Sequence, residues 1–135
     1  MTRIKLLIGM MATVFLGLFS RKIAGLTGVG ALLYVGDALW AMMVYQCILF
    51  VSSNIEEKKA AILCMVISFA VEFGQLIHQP DLDRFRQTRI GHMILGNGFD
   101  SFDLLAYFLG IMTFYLIREF FRKRFLNNGQ TEKNA

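Results

Sequence analysis

Apolar side chains occur in four long stretches along the chain, and short groups of polar or charged residues separate these stretches. A bilayer core of roughly 30 Å is crossed by about 20 mostly apolar helical residues. The pattern therefore predicts four transmembrane helices. Their expected bounds are about residues 4–19, 32–51, 58–77 and 101–120.

These helices predict an all-α fold, a four-helix transmembrane bundle that forms a single domain over residues 1–125. Residues 126–135 are expected to form a polar, disordered cytoplasmic tail. The first apolar stretch ends in Ser20, Arg21 and Lys22, with no small-residue cleavage pattern of a signal peptide. We therefore expect that stretch to be retained as the first helix.

Three connections join the predicted helices. Residues 23–31 are glycine-rich and uncharged, which fits either an interfacial turn or a short re-entrant segment. Residues 52–57 are few, so the second and third helices are expected to be antiparallel neighbours joined on the inner side. Residues 78–99 are polar at first and then glycine-rich, and they predict a long outer loop, a kind of segment that is functional or disordered.

Composition supports the membrane interpretation. Charged residues make up 18% of the chain and hydrophobic residues 56%, whereas a soluble domain is about one quarter charged. The net charge of +4 comes from basic clusters between apolar stretches, which is typical of membrane topology and not of nucleic-acid binding. Cys47 and Cys64 lie within apolar stretches, so we expect from them neither a disulfide nor a metal site.

The basic residues also predict an orientation. With both termini in the cytoplasm, eight lysines and arginines lie inside and five lie outside, which agrees with the positive-inside rule. The inner set is Arg3, Lys5, Lys58, Lys59, Arg118, Arg122, Lys123 and Arg124, and the outer set is Arg21, Lys22, Arg84, Arg86 and Arg89. This bias predicts a multi-pass membrane protein with both termini in the cytoplasm. The C-terminal basic cluster alone also fits a stop-transfer anchor on anionic lipid.

Three acidic residues, Asp37, Glu72 and Asp103, lie within predicted spans. A charge at the bilayer centre costs on the order of 2.5–3.5 kcal/mol, so each is a candidate functional residue. From the helical rise, Asp37 and Glu72 lie roughly 8 Å below the outer boundary, and Asp103 enters from the same side. We therefore expect three helices to bring their carboxyl groups to one depth.

Other polar residues share helical faces with these acids. Gln75 and Gln79 follow Glu72 at helical spacing, and Tyr107 follows Asp103 by four residues. The pattern predicts a polar pocket that opens to the outer face. Its deepest residues are expected to be Asp37, Glu72, Gln75, Asp103 and Tyr107, with Arg21, Lys22, His78, Arg89 and His92 at helix ends and in loops.

Structural roles are open for several of these residues. Asp100 and Asp103 begin a helix, where aspartate is a favoured cap. Glu72 could pair with an arginine, and Asp37 could be a strut between helices. The histidines, His78 and His92, also fit an interfacial position. No tight histidine spacing marks a metal site, and we expect neither a metal nor another cofactor.

Several motifs together resemble the domain of unknown function 2809, a family of short bacterial membrane proteins. They are residues 36–40 (Gly-Asp-Ala-Leu-Trp), 72–76 (Glu-Phe-Gly-Gln-Leu), Arg89, residues 91–99, and residues 103–107 with Gly110. The resemblance covers about residues 20–112 and implies no particular reaction. More distantly, the Glu-x-x-Gln pair and the Asp103, Tyr107, Gly110 spacing are similar to VanZ-like proteins, which are linked to teicoplanin resistance. That similarity implies the Glu, Gln and Asp positions as a shared polar set, although Tyr107 stands where asparagine is usual.

Three functions are consistent with this pocket. In the first, the protein binds or modifies an anionic envelope glycolipid or lipid-linked precursor. Glu72 would be the general base and Asp37 and Asp103 would orient it, and the substrate-binding residues would be Arg21, Lys22, Gln75, Arg89, His92 and Tyr107. In the second, the polar network only fixes helix packing or docks a partner. The third is an ion-coupled carrier. Membrane lipids are the expected partners, and the oligomeric state stays open.

Overall fold

The structure, a computed structural model, describes residues 3–96 and 98–131, with backbone only for Met93 and residues 125–131. All regular elements within these residues are helices, which confirms the all-α prediction. The expected tail falls partly on residues 132–135, which lie outside the described residues. The helices are α1 (Arg3–Thr27), α2 (Ala31–Val51), α3 (Glu57–Gly74), α4 (Pro80–Arg86), α5 (Arg89–Leu95) and α6 (Ser101–Thr131).

Three of the described helices, α1, α2 and α6, are long and apolar enough to cross a membrane. The remaining long helix, α3, has 18 residues and carries four charges. Three of these, Glu57, Lys58 and Lys59, lie in its first turn, and Glu72 lies near its end. The uncharged part of α3 is therefore shorter than that of the other long helices.

Polar clusters at the two ends of the bundle define the directions of the helices. At one end, called the acidic end here, Asp37 near the start of α2 interacts with Asp103 at the start of α6. At the opposite end, the Tyr45 hydroxyl donates a hydrogen bond to the Glu57 carbonyl at 2.8 Å, and Arg118 pairs with the Glu57 carboxylate. Consequently α2 and α6 run in the same direction, and α3 runs in the opposite direction between them.

Close packing holds α2 at the centre, where it contacts α1, α3 and α6. Small residues allow this approach. Ala41 on α2 and Ala60 on α3 are fully buried, and a Cβ added to Gly110 of α6 would lie 2.3 Å from the Ala38 carbonyl oxygen. The position of the α6 start beside Asp37 depends on this contact between α2 and α6.

The glycine-rich segment from 23 to 31 is mostly the end of helix α1, followed by a short turn. Helix α1 continues to Thr27 in spite of Gly25 in its last turns. The chain then reverses within three residues at Gly28, whose φ of 71° suits glycine. This short turn makes α1 and α2 antiparallel neighbours.

The segment predicted as a long outer loop contains the two short helices α4 and α5. Pro80 begins α4, a position that proline favours. Thr88 caps α5 by accepting a hydrogen bond from the Gly91 backbone at 3.0 Å. The chain leaves α5 at Gly96, whose φ is 67°. These turns bring Gly96, Gly98 and Asp100 back over the acidic end.

Candidate functional site

Glu72 is the most extensively hydrogen-bonded carboxyl group of the acidic end. Its Oε1 accepts a hydrogen bond from the Asp100 backbone N–H at 2.8 Å. Its Oε2 accepts from the Gln75 amide at 2.9 Å and from the Tyr107 hydroxyl at 3.1 Å. The side chain is fully buried. Glu72 therefore ties the end of α3 to the start of α6 through groups of the chain itself.

Gln75 extends this network to the segment that follows α5. Its side-chain oxygen accepts a hydrogen bond from the Gly98 backbone at 2.9 Å. A Cβ on Gly96 would lie 2.6 Å from the Gln75 amide nitrogen, so the backbone approaches Gln75 too closely for a side chain there. Glu72 and Gln75 together fix Gly98 and Asp100 over the bundle.

Asp37 and Asp103 form a second group of carboxyl groups beside Glu72. Asp37 is paired with Arg21 of α1, and the Asp37 side chain is largely buried while that of Arg21 is partly exposed. Asp103 lies beside Asp37 in the cavity lining and within electrostatic range of Glu72 and Asp100. Helices α1, α2, α3 and α6 thus all supply charged groups to one end.

A cavity of about 340 Å³ lies over these carboxyl groups, and we call it the acidic cavity. Its volume is within the range of small-ligand sites. Glu72 is not among the lining residues that the structure describes, and it lies behind Gln75 and Tyr107. The acidic cavity is lined by Arg21, Leu33, Tyr34, Asp37, Trp40, Val71, Gln75, His92, Ile94, Gly96, Gly98, Asp100, Asp103 and Tyr107.

The predicted site residues divide into three groups. Asp37, Asp103, Gln75, Tyr107, Arg21 and His92 all line the acidic cavity. Glu72 lies just behind its wall. Arg89 is exposed on α5 close to His92, and Lys22 is exposed on α1 outside the cavity lining. The arrangement places carboxyl groups at the floor and basic groups around the mouth, while the catalytic and binding roles of these residues stay predictions.

Sequence reasoning missed two contributors to the site. Arg86 of α4 is buried and donates hydrogen bonds to the backbone oxygens of Gly74 at 2.7 Å and Ile77 at 2.8 Å. It thereby satisfies carbonyl groups at the end of α3, as a basic residue near a helix C-terminus does. Tyr34 donates a hydrogen bond to Asp100 at 3.2 Å. One available signal was the position of Tyr34 three residues before Asp37, on the same helical face.

The opposite end carries a separate polar cluster. The Arg118 Nε donates to both carboxylate oxygens of Glu57, at 2.8 and 2.9 Å, and Tyr45 contacts Glu57 as well. Both members of the ion pair are largely buried. A paired and hydrogen-bonded charge of this kind is tolerated in a low-dielectric environment. This cluster fixes α3 against α2 and α6 far from the acidic cavity.

The carboxyl groups of the acidic end have hydrogen-bond and ion-pair partners within the chain. Within the part of the chain that the structure describes, no group of three or more histidine, cysteine or acidic residues could hold a metal ion. The carboxyl groups instead have an arginine, a tyrosine and backbone N–H groups as partners. The arrangement is suited to hydrogen bonding and proton transfer.

One family of known proteins matches most of this region. The family is described as "Protein of unknown function (DUF2809)", and its model matches residues 30–111, which is more than half of the chain. The matched stretch runs from the start of α2 into α6 and contains all lining residues of the acidic cavity except Arg21. No solved structure matches the chain. The more distant similarity to VanZ-like proteins stays a prediction.

Proposed function

The chain belongs to the DUF2809 family of proteins of unknown function, and we propose that it binds the phosphorylated, hydroxyl-bearing headgroup of an envelope lipid in the acidic cavity and transfers a proton there. The observation that carries this proposal is the pair of neighbouring carboxyl groups, Asp37 and Asp103, on the floor of a cavity whose mouth is basic. Three apolar helices of spanning length make a membrane lipid the natural ligand.

In this proposal α3 is a fourth span. Helices α2 and α6 run in the same direction, so the chain that leaves α2 at one face must return to the other face before α6 begins. Helix α3 is the connecting element of sufficient length, since 18 residues extend about 27 Å. Its first-turn charges, Glu57, Lys58 and Lys59, then lie at the membrane surface, and buried Glu72 has three hydrogen-bond partners.

The same proposal places both termini in the cytoplasm and the acidic end at the outer face of the bacterial inner membrane. The basic residues at the C-terminal end of α6 and at the start of α3 then lie inside, as the positive-inside rule favours. Asp37 lies six residues after the start of α2, about 9 Å along the helix. The cavity floor is therefore at a depth that the headgroup of an outer-leaflet lipid reaches.

The charges in the cavity suit a headgroup with two kinds of group. Carboxylates accept hydrogen bonds only, so Asp37, Asp100 and Asp103 are suited to bind hydroxyl groups of a sugar or glycerol. Arg21 and His92 of the cavity lining and Arg89, which lines the adjoining cavity, are suited to phosphate. A phosphorylated glycolipid or lipid-linked sugar presents both kinds of group.

Proton transfer is assigned to Asp37 and Asp103, because both line the cavity. Two adjacent carboxyl groups can divide the roles of general base and general acid. The ionised one would accept the proton of a headgroup hydroxyl as that oxygen forms a bond to the phosphorus of the headgroup phosphate, and the protonated one would donate its proton to the ester oxygen whose bond to phosphorus breaks. Glu72, which the sequence pointed to as the base, is instead assigned a positioning role. Its oxygens already accept three hydrogen bonds, and it does not line the cavity.

Lipid analysis of whole cells tests this function. We compare a deletion strain complemented with wild type, with Asp103→Asn or with Asp81→Asn, which alters an exposed aspartate of α4. The deletion and Asp103→Asn strains are expected to share one change in the envelope lipid profile, and Asp81→Asn is expected to restore the wild-type profile. An unchanged profile in the deletion strain, with the chain normally produced in the parent strain, would exclude the proposed function.

A non-catalytic membrane module is the second candidate, and the bonding of Glu72 favours it. All three donors to Glu72 come from the chain itself, as in a network that serves only helix packing. This candidate predicts that Asp103→Asn complements the deletion fully. Both candidates predict that Glu72→Gln lowers the amount of folded protein in the membrane, so Asp103→Asn is the variant that separates them.

A further inference from the structure

A second cavity adjoins the acidic cavity, between α1 and α2, and we call it the apolar groove. Its volume is about 450 Å³. Its walls come from Val14, Gly17 and Leu18 of α1 and from Leu39 and Met43 of α2. From Thr13 to Arg21 the groove follows α1 for about 12 Å, which approaches half of the roughly 30 Å bilayer core. The groove therefore has the length and polarity that suit part of an alkyl chain.

The apolar groove ends in basic residues at the acidic end. Arg21, Arg89 and His92 lie at this end of its lining. Arg21, Trp40, His92 and Ile94 line both the groove and the acidic cavity, so the two spaces meet there. An anionic group at this junction would lie beside the basic residues. The carboxyl groups of the acidic cavity would be on one side of it, and the apolar groove would be on the other side.

We propose that the apolar groove binds an alkyl chain of an anionic lipid, with the lipid phosphate at Arg21, Arg89 and His92. This inference rests on the proposed function and deepens it, because it defines the second half of the ligand. Charge complementarity at the mouth and the apolar walls together select an amphiphile with a phosphate next to its chain.

Gly17 gives a direct way to fill the groove. A Cβ added there would meet only the Leu39 side chain at 3.7 Å and the Gly36 carbonyl at 3.8 Å, which are ordinary contacts. A small side chain therefore fits, and a larger one extends into the space proposed for the alkyl chain. Gly25 is the matched control on the same helix, since a Cβ there meets nothing within 4 Å and Gly25 does not line the groove.

The experiment titrates palmitoyl lysophosphatidate into detergent-purified protein and follows the fluorescence of Trp40, the single tryptophan of the chain. Because Trp40 lines both cavities, its emission should report saturable binding. The series Gly17→Ala, Gly17→Leu and Gly17→Phe is expected to weaken binding progressively, with a loss of roughly tenfold or more for Gly17→Phe. Gly25→Phe is expected to bind as wild type does.

Arg89→Gln and monopalmitoylglycerol test the phosphate contact. Arg89→Gln is expected to weaken binding of the phosphate lipid, and wild type is expected to bind the uncharged lipid more weakly than the phosphate lipid.

Gly17→Ala adds only ordinary contacts and is expected to keep the wild-type unfolding temperature, so the Gly17 series stays informative if Gly17→Phe does not fold. Equal affinity across the folded members of the Gly17 series and Gly25→Phe would overturn the inference and indicate ordinary annular lipid.

The outcome is separable from that of the proposed function. If the Gly17 series binds equally but Asp103→Asn changes the envelope lipids, only the groove assignment fails. If the Gly17 series weakens binding but the deletion strain has a normal lipid profile, the groove assignment stands and the proposed reaction at Asp37 and Asp103 fails.

Discussion

Glu72 shows how a single residue can organise the acidic end without lining its cavity. An isolated carboxyl group within a membrane would be costly. Here its two oxygens accept three hydrogen bonds from Gln75, Tyr107 and the Asp100 backbone. These bonds offset the cost of burial and fix the positions of the neighbouring groups. The stability of the acidic end therefore depends on Glu72 more than on either carboxyl group of the cavity floor.

Replacing Glu72 by glutamine is expected to destabilise the protein by about 1–3 kcal/mol. The new amide nitrogen must face at least one of the present donors, so a hydrogen bond is lost and a donor is left unsatisfied. Equilibrium unfolding in mixed detergent micelles measures the change. Glu56→Gln is the matched control, because Glu56 and its partner Lys59 are both exposed, and no measurable change is expected there. Equal stability of the two variants would contradict this role of Glu72.

Residue depth is the part of the site that sequence predicts well. A helix rises about 1.5 Å per residue, so the positions of Asp37, Glu72 and Asp103 along their spans follow from the span boundaries. The structure brings these three residues to one end of the bundle. The partners of each carboxyl group were less predictable. They include the backbone of residue 100 and the Tyr34 hydroxyl, whose positions depend on how residues 78–99 fold.

At the scale of elements, the contact between α2 and α6 sets the geometry of the cavity floor. Gly110 faces the backbone of Ala38, one residue after Asp37, and leaves no room for a methyl group. Small residues allow helices in a membrane to approach closely. A wider spacing here would separate Asp37 from Asp103.

Gly110→Ala is therefore expected to destabilise the protein by about 1–3 kcal/mol, since the two helices must move apart. Gly25→Ala is the control, where the added methyl group meets open space and alanine favours the helix. The Gly25 variant is expected to be as stable as wild type or slightly more stable. Thermal unfolding of the two purified variants compares them, and a Gly110 variant that matches the Gly25 variant would refute the close contact.

The two short helices α4 and α5 were not predicted from the sequence. The apolar periodicity of residues 78–99 is short and interrupted, so it predicted a loop. Local signals for both helices were nonetheless present, with Pro80 at the first turn of α4 and Thr88 as the cap of α5. Burial of Arg86 could not be predicted, because it depends on α4 folding back onto the end of α3.

At the scale of the whole molecule, two polar clusters at opposite ends hold the bundle together. The cluster of Tyr45, Glu57 and Arg118 fixes one end, and the Glu72 network fixes the other. The long apolar stretches predicted the bundle class, since their length and composition depend little on tertiary contacts. Helix α3 carries charged residues near both ends, so its own sequence does not identify it as a membrane span. Its membrane crossing is proposed because α2 and α6 run in the same direction.

The proposed function requires an acidic cavity that is filled with water and opens at the outer face, and thiol labelling of single-cysteine variants tests this requirement directly. The variants Asp103→Cys, Asn54→Cys and Leu105→Cys are made with Cys47 and Cys64 replaced by alanine. They are treated with a membrane-impermeant thiosulfonate, which reacts with thiolates in water. Leu105 is an exposed apolar residue of α6 and represents the lipid-facing surface, and Asn54 lies in the turn between α2 and α3.

We expect Asp103→Cys to react in cells whose outer membrane is permeabilised and whose inner membrane is intact. Asn54→Cys is expected to react only after the inner membrane is opened. Leu105→Cys is expected to stay unreactive in both conditions. If Asp103→Cys reacts only after the inner membrane is opened, the cavity faces the cytoplasm. If it behaves as Leu105→Cys does, residue 103 faces lipid and there is no water-filled site of the kind proposed. Either result would contradict a water-filled acidic cavity that opens at the outer face.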